Sequence, residues 1–335
     1  MSILRNHLLT IFLSDPNFSC IFGKSIINRW IRGKQLMQRQ EKRRGFYLNL
    51  EILDSRELLA VAPAPLQIVQ NLAETVTYKT TSVGPPLKLT IIKPGSAPVS
   101  PSGVPIVFGI HGGGWVKFDR NNILSDLRYV PENGYALVAP DYSLATSRKP
   151  SWPNNLTDLQ DALDWTVKNG VKYGLDTSNI TLVGQSAGGH LAAMLAIRVS
   201  EQRDPLNGPL IDRLIDVSGP MNLPRLIGES SFAAGRAKTM LGKTYNDNPG
   251  LWYAASPAFQ LEANPKIKMP VTLIIQGTVD PVVPINQSTE FQNQLVKLSA
   301  MPRLEKIIGA GHDLLKGAIA SKTRKLILDF LKNGV

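Results

Sequence analysis

The chain has 335 residues, 43% of them hydrophobic, with a formal net charge of +11 and one cysteine. That length and apolar content support a large buried core, and the lone Cys20 excludes an intrachain disulfide. Four histidines (His7, His111, His190, His312) without a Cys/His cluster leave no metal-ligand spacing, so no metal and no organic cofactor are expected.

Residues 1–65 read as an N-terminal leader and residues 66–335 as one catalytic-size domain. Leu8–Phe22 is apolar but broken by Asp15 and Pro16, too short and interrupted to span a bilayer, so no integral membrane segment is expected. Arg29, Arg32, Lys34, Arg39, Lys42, Arg43 and Arg44 stand against Glu41 alone. The basic residues thus cluster in the leader, which reads as a basic extension on a mildly basic enzyme. No aromatic-interleaved basic stripe follows in the main domain, so nucleic acid is not an expected partner. After Met37, itself a candidate start of translation, comes Leu48-Asn-Leu-Glu-Ile-Leu-Asp-Ser-Arg-Glu-Leu-Leu-Ala60 and an Ala/Pro stretch. This segment resembles the N-terminal leader of exported or surface proteins of planctomycete bacteria. The resemblance implies export or a cell-surface location. Without it the expectation is cytoplasmic.

From Gln67 the texture changes. Glu74–Thr81 and Leu87–Lys93 alternate as an antiparallel pair around Gly84-Pro85-Pro86. Val104–Ile110 is a continuous apolar run, which predicts a buried strand. A helix is expected over Asp119–Val130, a strand over Tyr135–Ala139 and a helix over Leu156–Val171, where Leu156, Leu159, Leu163 and Val167 share a face. Ile180–Val183 reads as a strand, followed by a helix from about Gly189 to Arg198. Leu210–Val217 is the next strand, and Met221–Ile267 reads as irregular chain suited to a cap or a site wall. Strands at Val271–Gln276 and Leu304–Ile308 and helices at Gln287–Leu298 and Leu314–Leu331 complete the order. Alternating strands and helices predict an α/β fold: a mostly parallel central sheet with helices on both faces.

The chemistry sits at strand ends. Gly184-Gln185-Ser186-Ala187-Gly188 places a serine on a tight strand-to-helix turn, the pattern of a nucleophile elbow. A serine hydroxyl hardly ionises at neutral pH and needs an adjacent base. His312, in Gly309-Ala310-Gly311-His312-Asp313, follows the last strand and is the candidate. Asp280 closes Gln276-Gly277-Thr278-Val279-Asp280 after another strand and is the expected partner of that base, with Asp313 and Glu305 as rivals. His111-Gly112-Gly113-Gly114-Trp115 supplies a glycine-rich loop whose Gly113 and Gly114 amides, with that of Ala187, are the expected oxyanion donors. The loop lacks the patterns of nucleotide-phosphate binding. Trp115, Trp252, Tyr253 and Phe232 are candidate pocket walls. Trp115 and Gln185 are the expected substrate contacts.

HGGGW, VAPDYSLA with Trp152-Pro153 and Asp158, GQSAGG, GTVDPVVP and GAGH resemble, in this order, the α/β-hydrolase esterases. Within them the similarity is to the hormone-sensitive-lipase-like and acetyl-xylan/feruloyl-esterase-like carboxylesterases, over about Leu66 to Leu331. The resemblance implies the α/β-hydrolase fold and a carboxylesterase that cleaves short acyl, aryl or sugar esters through an acyl-enzyme. Its small-molecule or carbohydrate ester substrate would be attacked by Ser186, with Asp280 and His312 as partners. Asp141 and Tyr142 match a stretch that supports the oxyanion loop. Ser143 stands where arginine is usual, and Gln185 where the lipase-like branch has aspartate, so the lean is towards the second branch. An amide hydrolase on the same scaffold and a catalytically silent binding protein are the alternatives.

Overall fold

The computed structural model describes residues 73–95 except Val83, 101–202 and 211–334. The leader, its boundary at residue 65 and the Met37 start lie outside the described residues. Among the described residues, eight strands form one sheet: β1 (Ala73–Lys79), β2 (Leu87–Ile92), β3 (Val104–Ile110), β4 (Ala136–Pro140), β5 (Leu175–Gln185), β6 (Ile211–Val217), β7 (Val271–Gly277) and β8 (Arg303–Ile307). Their order is β1-β2-β4-β3-β5-β6-β7-β8. β1 and β2 pair antiparallel, as do β2 and β4, and every later pairing is parallel. This is the α/β-hydrolase fold, a mostly parallel sheet covered by helices.

Side-chain alternation feeds two cores. Ile106, Phe108 and Ile110 of β3, Leu182 of β5 and Ile274 of β7 point to one face. They meet Leu156, Leu159 and Leu163 of α2 (Asn154–Asn169), Leu191 and Leu195 of α3 (Ala187–Gln202), and Phe291 and Leu295 of α8 (Ile285–Lys297). Val107, Val183, Ile215, Leu273 and Ile275 point to the other face, towards Ile123 of α1 (Arg120–Asp126) and Ile327, Phe330 and Leu331 of α9 (Ala320–Asn333). Strands buried on both faces leave few polar positions, which is why β3 and β4 read as continuous apolar runs.

Three expectations need correction. Met221–Ile267 is not irregular: it holds α4 (Leu226–Glu229), α5 (Ser231–Leu241), α6 (Pro249–Ala254) and α7 (Pro257–Ala263). Pro249 and Pro257 sit at first helical positions, where the missing N–H costs nothing, so they start helices rather than break them. The Ser230 and Asn248 side chains cap α5 and α6 by accepting from the Ala233 and Leu251 amides. The last helix starts at Ala320, not Leu314. Leu314 is fully buried, but in a loop that turns at Gly317 with φ of +64°. Finally, α1 stops at Asp126 and a 3-10 turn follows at Pro131–Asn133, where one helix over Asp119–Val130 is expected from sequence.

The turn between β5 and α3 is packed too closely for side chains. A Cβ on Gly184 would overlap the Gly188 carbonyl, and one on Gly188 would overlap the carbonyl of Ile110 on the neighbouring strand. Gly188→Ala should therefore lower stability by about 1–3 kcal/mol. Gly235, exposed in the interior of α5 with open space at its Cβ, is the control. There the same substitution should stabilise by about 0.5–1 kcal/mol, because alanine loses less freedom in a helix. Thermal unfolding of the two variants beside the wild type checks the pair of signs.

Candidate active site

Four strand ends deliver the site. Ser186 follows β5 at φ of +56°, the left-handed region that costs a side-chain-bearing residue about 1–3 kcal/mol. Its amide donates to the Val217 carbonyl on β6 at 2.8 Å, and its carbonyl accepts from the His190 amide at 3.1 Å, which closes the first turn of α3. Its own N–H is thereby engaged on the sheet. The next amide, that of Ala187, opens the helix.

Asp280 follows β7. Its Oδ1 accepts from the Val282 and Val283 amides at 2.8 and 2.9 Å. Its Oδ2 accepts from Gln276 Nε2 at 3.0 Å and lies 2.7 Å from His312 Nδ1. Asp280 does not cap α8, which begins at Ile285. The His312 loop is tied to the Asp280 loop by the Val279 amide on the Ala310 carbonyl, 3.1 Å, and by the Gly309 amide on Thr278 Oγ1, 2.9 Å. The second imidazole nitrogen, Nε2, stands 2.8 Å from Ser186 Oγ. With Nδ1–H donated to Asp280, Nε2 is left to accept the serine proton. The two rivals of Asp280 lie elsewhere. Glu305 pairs with Arg303, and Asp313 is exposed at the cavity rim.

The remaining strand end is the loop after β3. Gly113 has φ of +108°, and a Cβ there would strike the Lys117 carbonyl, so only glycine fits. The loop is held from below. Tyr142 stacks on His111 at 4.2 Å and its hydroxyl donates to the His111 carbonyl at 2.9 Å. Asp141 accepts from the Arg120 amide and guanidinium at 3.0 and 2.7 Å. Burial lowers the His111 pKa, and its Nδ1–H donates to the Gly112 carbonyl.

Gly113, Gly114, Trp115, Gln185, Ser186, Ala187 and His312 line one cavity of about 300 Å³. The expected pocket walls divide. Phe232 and Trp115 border this cavity, but Trp115 is only 2% exposed and its Nε1–H donates to His190 Nδ1 at 3.3 Å. Trp252 and Tyr253 do not border it. Trp252 is buried and donates to the Lys243 carbonyl, and the Tyr253 hydroxyl pairs with that of Tyr245. Both rings are packing of the 226–263 helices, which indole and phenol suit as well as they suit a pocket.

Three residues that support the site escaped the reading of motifs. Gln276 bridges Asp280, the Val283 carbonyl and the Ser288 hydroxyl, all buried. His190 takes the Trp115 N–H on Nδ1, so its Nε2–H donates to the Ala255 carbonyl at 2.7 Å, and full burial lowers its pKa to about 4. Asp216 of β6 lies beneath the elbow. Its Oδ1 accepts from the Gly219 amide at 2.9 Å and fills the space that a Cβ on Gly189 would need. Its Oδ2 has no partner among the described residues, and complete burial pushes its pKa up to about 8. A buried carboxyl on a strand interior carries no motif. Its only signal is an acid within the apolar run Leu214–Val217.

Residues 95–295 match the model of the BD-FAE family. Esterase LipC of Mycobacterium tuberculosis is 28% identical over 239 residues, 68% of this chain and 58% of that protein. The chain spans about half the length of the curated relatives it matches. Among solved structures, a truncated carbohydrate esterase from gut microbiota superposes with a TM-score of 0.65 at 20% identity, over 81% of this chain and all of that one. Thermogutta terrifontis esterase 2 phosphonylated by sarin gives 0.64 at 25% identity, over 77% and 94%.

Asp216 keeps its proton in the folded chain to about pH 8 but loses it near pH 4 when unfolded. Its contribution is full below the unfolded value and is lost as pH rises towards 8, at up to about 1.4 kcal/mol per pH unit. Asp216→Asn removes that dependence. Relative to wild type, the variant should gain about 2–3 kcal/mol between pH 5 and pH 7 in urea unfolding. A difference that stays constant across that range would show that the Asp216 carboxyl is already ionised in the folded protein.

Proposed function

Because the chain belongs to the BD-FAE family and joins Ser186, His312 and Asp280 in one hydrogen-bonded chain, we propose that it is a serine esterase acting on small-molecule or carbohydrate esters. The observation that carries this reading is that chain of contacts, opening into a cavity shared with Gly113, Gly114 and Ala187.

The steps follow from the geometry. His312 Nε2 takes the Ser186 Oγ proton as the oxygen attacks the ester carbonyl. Asp280, fixed by two amides and Gln276, orients the imidazole and offsets the charge it gains. The carbonyl oxygen becomes an oxyanion that would accept from the Gly113, Gly114 and Ala187 amides, residues that line the same cavity as Ser186. His312 then protonates the leaving alkoxide, and the alcohol departs from the acyl-enzyme. Water, deprotonated by the same imidazole, attacks the acyl carbon and Ser186 leaves with its proton restored. Three relatives and neighbours bear on the substrate through their names: LipC is an esterase, one solved neighbour is a carbohydrate esterase, and another is an esterase phosphonylated by sarin. Organophosphonates react with activated nucleophiles, which fits a role of this kind for Ser186.

Hydrolysis of para-nitrophenyl acetate and butyrate tests the reading. Ser186→Ala should lower kcat by three orders of magnitude or more, with the residue due to the oxyanion donors and binding. Asp280→Asn should cost about 10³–10⁴-fold, because the amide turns the imidazole to the wrong tautomer. Wild-type rates in Ser186→Ala would sink the proposal. Activity on para-nitroanilides above that on the matched esters would move it to an amide hydrolase.

A further inference from the structure

The rim of the cavity carries charge that the proposed esterase chemistry does not use. Three cations line it, Lys117, Arg236 and Lys316, against one carboxylate, Asp313. Among the described residues, the ion pairs involve Lys79, Arg120, Arg225, Arg303, Lys325 and His312, and none includes these three cations. They rest instead on aromatic rings. Lys117 Nζ is 4.6 Å and Lys316 Nζ 6.0 Å from the centre of Phe118, and Arg236 Cζ is 5.2 Å from the centre of Phe232. A ring holds a cation in place without neutralising it, so the field at the mouth stays positive.

Two further observations point the same way. Phe118 and Phe232 are 45% and 57% exposed, large apolar surfaces left in water in the lining of one cavity. Phe118 also holds φ of +75°, a left-handed conformation that a residue with a bulky side chain adopts at a cost. The strained Trp115–Phe118 segment thus presents Lys117 and Phe118 at the rim. The Arg236 side chain lies over Gly114, where an added Cβ would come 3.2 Å from its Cγ and 3.3 Å from its Cδ. Its methylenes thus pack on a proposed oxyanion donor, and its guanidinium stands over Phe232 in the same cavity lining. Of the three cations, Lys316 acts on a carboxylate, that of Asp126, whose charged form it favours.

Resting on the esterase reading above, we propose that the natural substrate is an anionic ester, with a carboxylate on a ring next to the scissile bond, and that Arg236 is its main specificity determinant. The ring would lie between Phe118 and Phe232. The carboxylate would take the planar guanidinium in two parallel hydrogen bonds, with Lys117 as the second charge.

Two matched pairs of esters test this with the full chain. On the alcohol side they are meta-carboxyphenyl and meta-carbamoylphenyl acetate. On the acyl side they are the para-nitrophenyl monoesters of isophthalate and of isophthalamate, whose meta carboxylate cannot reach its own ester carbonyl. Each rate is divided by that of the same ester in hydroxide. At low salt, kcat/KM should favour the anion at least ten-fold in one pair. The preference should shrink as salt rises to about 0.5 M, where the screening length is a few ångströms. Arg236→Gln should lower the anion-to-neutral ratio about ten-fold, mostly through KM. Lys117→Gln, on an exposed loop, should lower it less and serves if the first variant does not fold. Ratios within two-fold of unity in both pairs would overturn the proposal. So would equal losses on both members of a pair in Arg236→Gln, which would make Arg236 a support of the oxyanion loop. Failure of the esterase reading looks different: neither member of either pair is hydrolysed in a Ser186-dependent way.

Discussion

Ser186 stands at φ of +56° because a strand and a helix must join there with no room for a loop. The Gly184 and Gly188 positions bring β5, α3 and the Ile110 carbonyl of β3 closer than any side chain allows. The turn is anchored on the other side by the Ser186 amide on Val217 of β6. Two neighbouring strands therefore fix one serine, and the strain is borne by the packing of the central sheet. From this constraint follow the exposure of the hydroxyl, the engagement of its own amide and the availability of the Ala187 amide at the helix start. The other parts of the site are arranged around a fixed point.

Those parts are braced by buried polar contacts rather than by the three reactive side chains alone. Gln276 and two amides saturate Asp280. Backbone and Thr278 bonds lock the Asp280 and His312 loops together. Tyr142 holds His111, and Trp115 ties the glycine-rich loop through His190 to the Ala255 carbonyl at the start of the α7 segment. Buried polar chains of this kind are costly when one partner is lost, so the same contacts that stabilise the fold keep the site rigid.

Much of this was legible in the chain. Central strands such as β3 and β4 announced themselves as apolar runs, because both faces are buried, and the edge pair β1 and β2 by alternation. The elbow, the glycine loop and the residues at the ends of β7 and β8 stood at strand ends, where a parallel sheet gathers them on one edge. Helices over 226–263 were hidden by prolines at first helical positions, which read as breakers until the cap residue before them is counted. Leu314 and Leu315 imitated a helix because burial, not helical period, fixes where apolar residues go. Trp252 and Tyr253 looked like pocket walls for lack of any signal that separates packing from lining. Asp216, Gln276 and Arg236 were invisible as motifs, since their partners are brought near only by tertiary contacts.

Ser186, His312 and Asp280 thus lie beneath a positive, aromatic mouth. The claim on which the proposed esterase reading depends is that Ser186 Oγ is the attacking atom. Treatment with a fluorophosphonate followed by peptide mass spectrometry tests it most directly. The account predicts one adduct, on the peptide carrying Ser186, with loss of ester hydrolysis in proportion to labelling. An adduct on another residue, or hydrolysis that survives full labelling of Ser186, would contradict it.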